Sequence, residues 1–160
     1  MRSRRYVLRL LAGGAAGAVA ASGQSGGDLR VMERRIFDAV NRERRRRNVA
    51  ELEWDARLAG EARRHSERMA AAGFRSHTDP VRGDLVPRLN ANGIPWHECA
   101  ENIFIERGYE GDPVPRAVRT WMESRGHRKN MLSPLYTRSG VGVEVSDDAT
   151  LCVTQEFTRP

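Results

Sequence analysis

Apolar and polar positions follow a helical period in the part of the chain that begins near residue 31. Between Val31 and Arg47, the residues Ile36, Phe37 and Val40 form an apolar stripe, and Glu and Arg fill the other positions. This pattern predicts an amphipathic helix. A second helix is predicted from Asp55, a residue type that caps helices, to about Ala72.

The rest of the chain predicts shorter elements. Leu52–Trp54 is a short extended piece, and Asp147 and Asp148 suit a hairpin between the last two strands. The remaining elements are a helix over 85–91, a strand-like run ending at 103–105, a helix over 116–124, a turn over 128–132, and strands over 136–145 and 151–158. Helices combined with a small, mostly antiparallel sheet predict an α+β layered domain.

Residues 1–22 differ from the rest of the chain and predict an export signal. A basic start is followed by an apolar run of small residues and by Ala18-Val19-Ala20, the pattern of a cleavable secretory signal. The segment Ser3–Arg9 resembles a twin-arginine signal, which directs folded proteins across a membrane. The alternative is an amphipathic N-terminal helix, which Gly13, Gly14 and Gly17 would weaken. The composition of residues 23–30 predicts a flexible tether. From the predicted signal we expect an exported protein that is extracellular, periplasmic or associated with the cell envelope.

Charge and length narrow the class of protein. The chain has 160 residues, which suits one domain, and a formal net charge of +6. Four of its arginines lie in the predicted signal, so the remainder is close to neutral and gives no reason to expect a nucleic-acid partner. The run Arg44–Arg47 suits either a patch for an anionic surface or a solvated helix end whose cations match the helix dipole. The sequence favours the solvated helix end.

The chain has two cysteines, Cys99 and Cys152, and an exported protein can hold a disulfide. A bridge across these 53 residues would stabilise the fold by about 4 kcal/mol through the entropy of the unfolded chain. The alternative is two separate thiols that pack as small apolar groups. The sequence leaves both open.

Three residues could form a polar site. His77 and His127 are predicted to lie in loops, and Glu101 precedes an apolar run, where a carboxylate is costly without a partner. Two imidazoles and one carboxylate can bind Zn²⁺ and leave a position for water, although no pair has the spacing of a helical zinc motif. His65 lies on the apolar side of the second helix, and this position predicts a histidine packed in the core instead.

Motifs of other enzyme classes are missing from the sequence. It contains no Gly-x-Ser-x-Gly elbow, no phosphate-binding loop and no dinucleotide fingerprint. Ser124 and His127 are three residues apart, but no third group completes a triad. Cys99 is an equally weak candidate nucleophile.

Five motifs in a fixed order resemble the CAP superfamily, which contains cysteine-rich secretory proteins, antigen 5 and plant pathogenesis-related proteins. The resemblance covers about residues 31–158 and is strongest to the short bacterial members with an SCP-like domain. It rests on Ala62–Met69 followed by Phe74–His77, on Ala100–Ile103, on Trp121–Leu132, on Tyr136 with Gly140–Val143, and on Val153–Phe157.

The resemblance implies an α-β-α sandwich, secretion, and a cleft of two histidines and two acids that holds zinc or another divalent cation in some members. By motif position, His77, Glu101 and His127 fill three of these places. The second acid falls on Ser124, and Glu123 lies about 100° away around the helix. The missing acid weakens the expected metal site and puts any activity that needs all four groups in doubt.

Three functions follow from the sequence. The first is an exported, monomeric binding or effector module whose cleft can hold a divalent cation and whose ligand is a lipid, a peptide or a cell-envelope component. The second is a metal-assisted hydrolase in which Zn²⁺ on His77, His127 and Glu101 activates water, with Glu98 or Glu123 as the base. The third is a structural envelope domain whose His and Glu residues only fasten loops to the sheet.

Overall fold

The computed structural model describes residues 26–160, which form five helices and four strands. The predicted signal peptide and the first three residues of the predicted tether lie outside the described residues. The elements are α1 (Gly26–Arg45), β1 (Glu53–Trp54), α2 (Ala56–Ala72), α3 (Leu85–Ala91), β2 (Glu98–Arg107), α4 (Val114–Glu123), α5 (Arg125–Leu132), β3 (Arg138–Val145) and β4 (Thr150–Arg159).

The four strands form one sheet in the order β1-β3-β4-β2. β4 pairs with β2 and β3 in antiparallel fashion, while the two residues of β1 pair with β3 in parallel. β2 is therefore an edge strand. Glu101 of β2 lies opposite Glu156 of β4 in this register.

Helices cover both faces of the sheet, which confirms the predicted α-β-α sandwich. On one face, Val141, Val143 and Phe157 pack into a large apolar core with Ile36 of α1 and Trp121 of α4. Trp121 is fully buried, and its indole N–H donates to the carbonyl of Ile103 at 2.9 Å. α2 and α3 cover the other face, where the apolar cluster is small. None of the helices in residues 26–160 is long and apolar enough to cross a bilayer.

Helix α2 lies directly on β3 because two strand positions are glycine. A Cβ atom at Gly142 would lie 2.0 Å from the backbone nitrogen of Arg63, and one at Gly140 would lie 2.1 Å from that of Ala59. The Ser66 hydroxyl donates to the carbonyl of Gly142 at 3.0 Å across this contact. The closeness of the two backbones excludes any side chain at these two positions.

Two helices differ from the sequence prediction. α1 begins at Gly26, so residues 26–30, predicted as tether, are helical, and Leu29 is buried there. Residues 125–132, predicted as a loop and a turn, form the helix α5. Both short segments become helical because they bury apolar residues against the core, as Met131 does in α5.

Arg44 differs from its neighbours in the arginine run. Its guanidinium is fully buried and donates to the carbonyls of Ala50 at 2.7 Å, Met131 at 2.8 Å and Ser133 at 3.0 Å. Arg44 therefore joins the end of α1 to the end of α5. The predicted solvated helix end is wrong for this one residue.

Of the two alternatives that the sequence leaves open for Cys99 and Cys152, the structure has the separate thiols, since both cysteines are free. Cys152 pairs with Ile105 of β2, and Cys99 is six residues earlier on that strand, which separates the two cysteines by about 20 Å. A disulfide requires Cα atoms within about 7 Å. Burial raises the pKa of the Cys152 thiol to about 11, as expected for a packed cysteine.

A reductant tests this finding. We expect dithiothreitol to leave the thermal melting temperature of the chain unchanged, because no bridge is present to break. Thiol titration of the denatured, unreduced protein should find two free groups. A fall of several degrees on reduction would contradict the free thiols, since a 53-residue loop is worth about 4 kcal/mol.

The glycine contact gives a second prediction. Gly142→Ala should lower the free energy of unfolding by about 3 kcal/mol or more, because the methyl group meets helix backbone that cannot move aside. Gly60→Ala in α2 is the matched control. Its Cβ would lie 3.8 Å from one Arg64 side-chain nitrogen, and alanine there should stabilise the helix by about 0.5–1 kcal/mol. Equal denaturation midpoints in urea for the two variants would show that α2 does not lie on β3.

Candidate functional site

The candidate site lies at the β2 edge of the sheet. Glu101 of β2 points to the side covered by α2 and α3, where the segment between these helices carries His77. His127 belongs to α5, which packs against β2 from the other side. The edge strand thus brings together residues from both helical layers.

Glu101 is buried, and both of its carboxylate oxygens are hydrogen-bonded. Oε1 accepts from Nδ1 of His77 at 2.8 Å, and Oε2 accepts from a terminal nitrogen of Arg88 at 2.5 Å. Nε2 of the buried His65 lies 3.9 Å from Oε1. The carboxylate therefore fixes the ring of His77 and is itself held by Arg88.

The two cleft histidines have opposite pKa shifts. The hydrogen bond to Glu101 raises the pKa of His77, whose side chain is 57% exposed. Burial, and then the charge of His77, lower the pKa of His127. Around the ordinary histidine pKa, the cleft therefore holds one imidazolium and one neutral imidazole. The Nδ1 atom of His127 is buried and has no hydrogen-bond partner among the described residues.

Arg88 of α3 lies at the centre of a buried ionic network. Besides Glu101, its guanidinium contacts Glu156 at 3.2 Å and Glu61 at 3.5 Å, and all four side chains are almost fully buried. Burial, and then the charge of Glu101, raise the pKa of Glu156 well above its ordinary value. Arg82 at 2.7 Å and Arg64 at 3.0 Å contribute two further cations to Glu61. One arginine thus joins α2, α3, β2 and β4 behind the cleft.

Two asparagines attach α5 to the edge strand. The side-chain amide of Asn102 donates to the carbonyl of His127 at 3.1 Å. The amide of Asn130 donates to Asn102 at 2.9 Å and to the carbonyl of Glu101 at 3.3 Å. These contacts set the position of His127 relative to Glu101.

The segment that carries His77 is held to α2 by other contacts. Asp79 is buried and forms a bidentate ion pair with Arg68 at 2.9 and 3.1 Å. Nε2 of His65 contacts the carbonyl of Ser76 at 3.0 Å, which agrees with the predicted hydrogen-bonded core histidine. The loop therefore keeps its shape without help from His77.

The other predicted candidates make no described contact with His77, Glu101 or His127. Ser124 is half-buried at the start of α5, and its hydroxyl makes no capping hydrogen bond. Glu98 lies 3.7 Å from Arg159, and Glu123 is exposed at the end of α4. Neither acid takes part in the described contacts of His77 and Glu101. The sequence analysis did not predict a role for Arg88. The one feature that could have indicated its burial is its position beside apolar residues in a short predicted helix.

The residues fit a predicted three-ligand metal site only in part. Within residues 26–160, no group of three His, Cys, Asp or Glu side chains is arranged to hold a metal ion. Arg88 and His77 already occupy the oxygens of Glu101, so this carboxylate suits an orienting role. The remaining donors are the imidazoles of His77 and His127, of which His127 has a buried nitrogen without a partner.

Comparison with known proteins identifies the family. The model of the cysteine-rich secretory protein family, CAP, matches residues 37–157. Two Bacillus subtilis proteins are similar in sequence: the uncharacterized membrane protein YlbC, 38% identical over 70% of this chain, and the uncharacterized protein YkwD, 32% identical over 69%. The chain belongs to the CAP family.

Solved structures agree with this assignment. An extracellular protein of Bacillus anthracis that contains an SCP domain superposes with a TM-score of 0.71, at 31% identity, over 86% of this chain and 44% of that one. An outer surface protein of Borrelia burgdorferi superposes with a TM-score of 0.70 over 85% of this chain and 95% of that one, at 16% identity, and so shows the fold alone. The chain spans 31% of YlbC and 41% of YkwD.

The His77–Glu101 pair gives a pH-dependent prediction. The hydrogen bond raises the folded-state pKa of His77, so its contribution to stability is present below the unfolded pKa and is lost as pH rises through the folded pKa. Glu101→Gln removes the carboxylate charge and should lower the NMR titration midpoint of His77. In the same variant, the free energy of unfolding should fall less as the pH rises above the ordinary histidine pKa.

His127 is the internal control in this titration. Its pKa is lowered first by burial, which Glu101→Gln leaves in place, so it should still titrate below its ordinary value. An unchanged His77 midpoint in the folded variant would contradict the hydrogen bond.

Proposed function

We propose that this CAP-domain chain is an exported binding module whose ligand-contacting groups are the imidazoles of His77 and His127. The observation that carries the proposal is the hydrogen-bonded series from Arg88 through Glu101 to His77. A carboxylate with both oxygens occupied orients a neighbouring ring. The exposed ring then presents its second nitrogen to a ligand.

Export is supported by two independent observations. The first 22 residues have the composition of a secretory signal with a twin-arginine pattern. The similar Bacillus anthracis protein is described as extracellular. We expect the ligand to be a lipid, a peptide or another component of the cell envelope, bound by a monomer.

Binding has more support than hydrolysis at this site. A general base needs a carboxylate that is free to accept a proton. Glu101 is held by Arg88 at 2.5 Å, and the position at which the family resemblance implies a second acid is Ser124. The cleft therefore supplies orientation and charge but no free base for activating water.

A binding role also has more support than a purely structural one. His65 and Asp79 already fasten the segment around His77 to α2. The side chain of His77 is 57% exposed. Its ring is therefore available to a ligand, whereas a fastening residue would be buried.

A divalent cation such as Zn²⁺ is the simplest ligand for two imidazoles, with His77 and His127 as the donors. Glu101 would then be the carboxylate behind a coordinating histidine, which fixes the ring and raises its basicity. When bound, the cation supplies a coordination position for an oxygen or nitrogen atom of an envelope ligand. Burial lowers the pKa of His127, which suits its neutral imidazole to donate a lone pair.

Isothermal titration of Zn²⁺ into the full-length chain tests this function. We expect one site of micromolar affinity at neutral pH, lost in the double variant His77→Ala/His127→Ala. His97→Ala is the matched control, because the side chain of His97 is exposed. The backbone N–H of this residue donates to the carbonyl of Arg159, and alanine keeps that hydrogen bond. Failure of the folded chain to bind Zn²⁺, or equal binding by all three proteins, would refute the cation site.

Two further variants separate orienting and ligating roles. Glu101→Gln should weaken Zn²⁺ binding by about 10–100-fold without abolishing it, as expected for a residue that acts through a ligand. Ser124→Asp introduces an acid at the position where the family resemblance implies one and should tighten binding, and aspartate is well tolerated at a helix start. Complete loss in Glu101→Gln would instead make Glu101 a direct ligand.

A further inference from the structure

The helical layer formed by α1, α4 and α5 concentrates the positive charge of the described chain. Residues 42–47 hold five arginines and one glutamate, and residues 116–129 hold five basic residues and one glutamate. The rest of residues 26–160 holds 13 basic and 19 acidic residues. The two segments thus carry +4 each, whereas the remainder is acidic.

The fold places the two basic segments side by side. One shallow groove between α1 and α4 is lined by Arg42, Arg46, Arg47 and Arg119. Met122 lines the same groove, and its carbonyl accepts a hydrogen bond at 3.3 Å from Arg128 of α5, which extends the patch onto that helix. Seven exposed residues form this basic face: Arg42, Arg46, Arg47, Arg119, Arg125, Arg128 and Lys129.

Few acids neutralise this surface. Glu43 forms ion pairs of 2.5 Å with both Arg46 and Arg47, so a single carboxylate is shared by two guanidinium groups. Among the described residues, no ion pair joins Arg42, Arg119, Arg125 or Lys129 to an acid, and Glu123 is the one other acid within the two segments. All seven residues of the basic face are exposed.

We propose that the basic face docks this protein on an anionic phospholipid bilayer. Guanidinium groups bind phosphate oxygens in a bidentate geometry, and each basic residue at an anionic surface strengthens attachment by electrostatics. Arginine stems can lie along the apolar groove floor while their charged ends reach the headgroups. The acidic remainder of the domain would face away from the bilayer. This docking does not require the cleft of His77 and His127.

Vesicle co-sedimentation of the full-length chain tests the proposal. We expect binding to vesicles of phosphatidylcholine with phosphatidylglycerol, none to phosphatidylcholine alone, and loss of binding as salt shortens the Debye length. The triple variant Arg42→Gln/Arg119→Gln/Lys129→Gln should reduce the partition coefficient by about 100-fold. Within residues 26–160 these three side chains form no hydrogen bond or ion pair with another side chain, and circular dichroism checks that the variant is folded.

The matched control is Arg57→Gln/Arg75→Gln/Arg107→Gln, which changes the net charge equally at exposed arginines outside the basic face. It should bind almost as the parent does. All three proteins share the arginine-rich N-terminus, so the difference between the two variants isolates the basic face. Equal partitioning of the two variants would overturn the proposal. So would binding of soluble dextran sulfate together with no binding to anionic vesicles.

Discussion

The buried guanidinium of Arg88 contacts acidic side chains from three separate elements, and it joins the helical layer on one face to the sheet. Glu61 of α2, Glu101 of β2 and Glu156 of β4 converge on this one side chain. Charges out of water are costly unless they are paired and hydrogen-bonded. The apolar cluster beneath α3 is small, so buried ionic contacts make up much of the interface on this side.

The two faces of the sheet are therefore stabilised in different ways. The face toward α1, α4 and α5 is covered by an apolar core around Ile36 and Trp121. The face toward α2 and α3 combines direct backbone contact at Gly140 and Gly142 with the buried ionic network. The cleft lies at the edge strand, where these two environments meet. Glu101 thus belongs at once to the network that holds the fold and to the site that presents His77.

This double role of Glu101 supports the proposed binding function over the hydrolase alternative. A carboxylate that the structure needs for charge balance is not available as a free base. The family assignment by itself leaves the function open, since the chain spans less than half of the similar Bacillus subtilis proteins. The cleft histidines and the basic face are separate features, so a ligand in the cleft and attachment to a surface can be gained or lost independently.

The local pattern of the sequence predicted most helices and strands and their order. The series of motifs predicted that His77, Glu101 and His127 belong to one site. These features depend on residues close in sequence or on a recognisable series of motifs. Only the tertiary structure decided the partners of buried polar groups. Arg88 meets Glu156 across 68 residues, and Arg44 meets Met131 across 87. Sheet register separated the cysteines, and helix packing brought two basic segments together, since neither depends on local pattern.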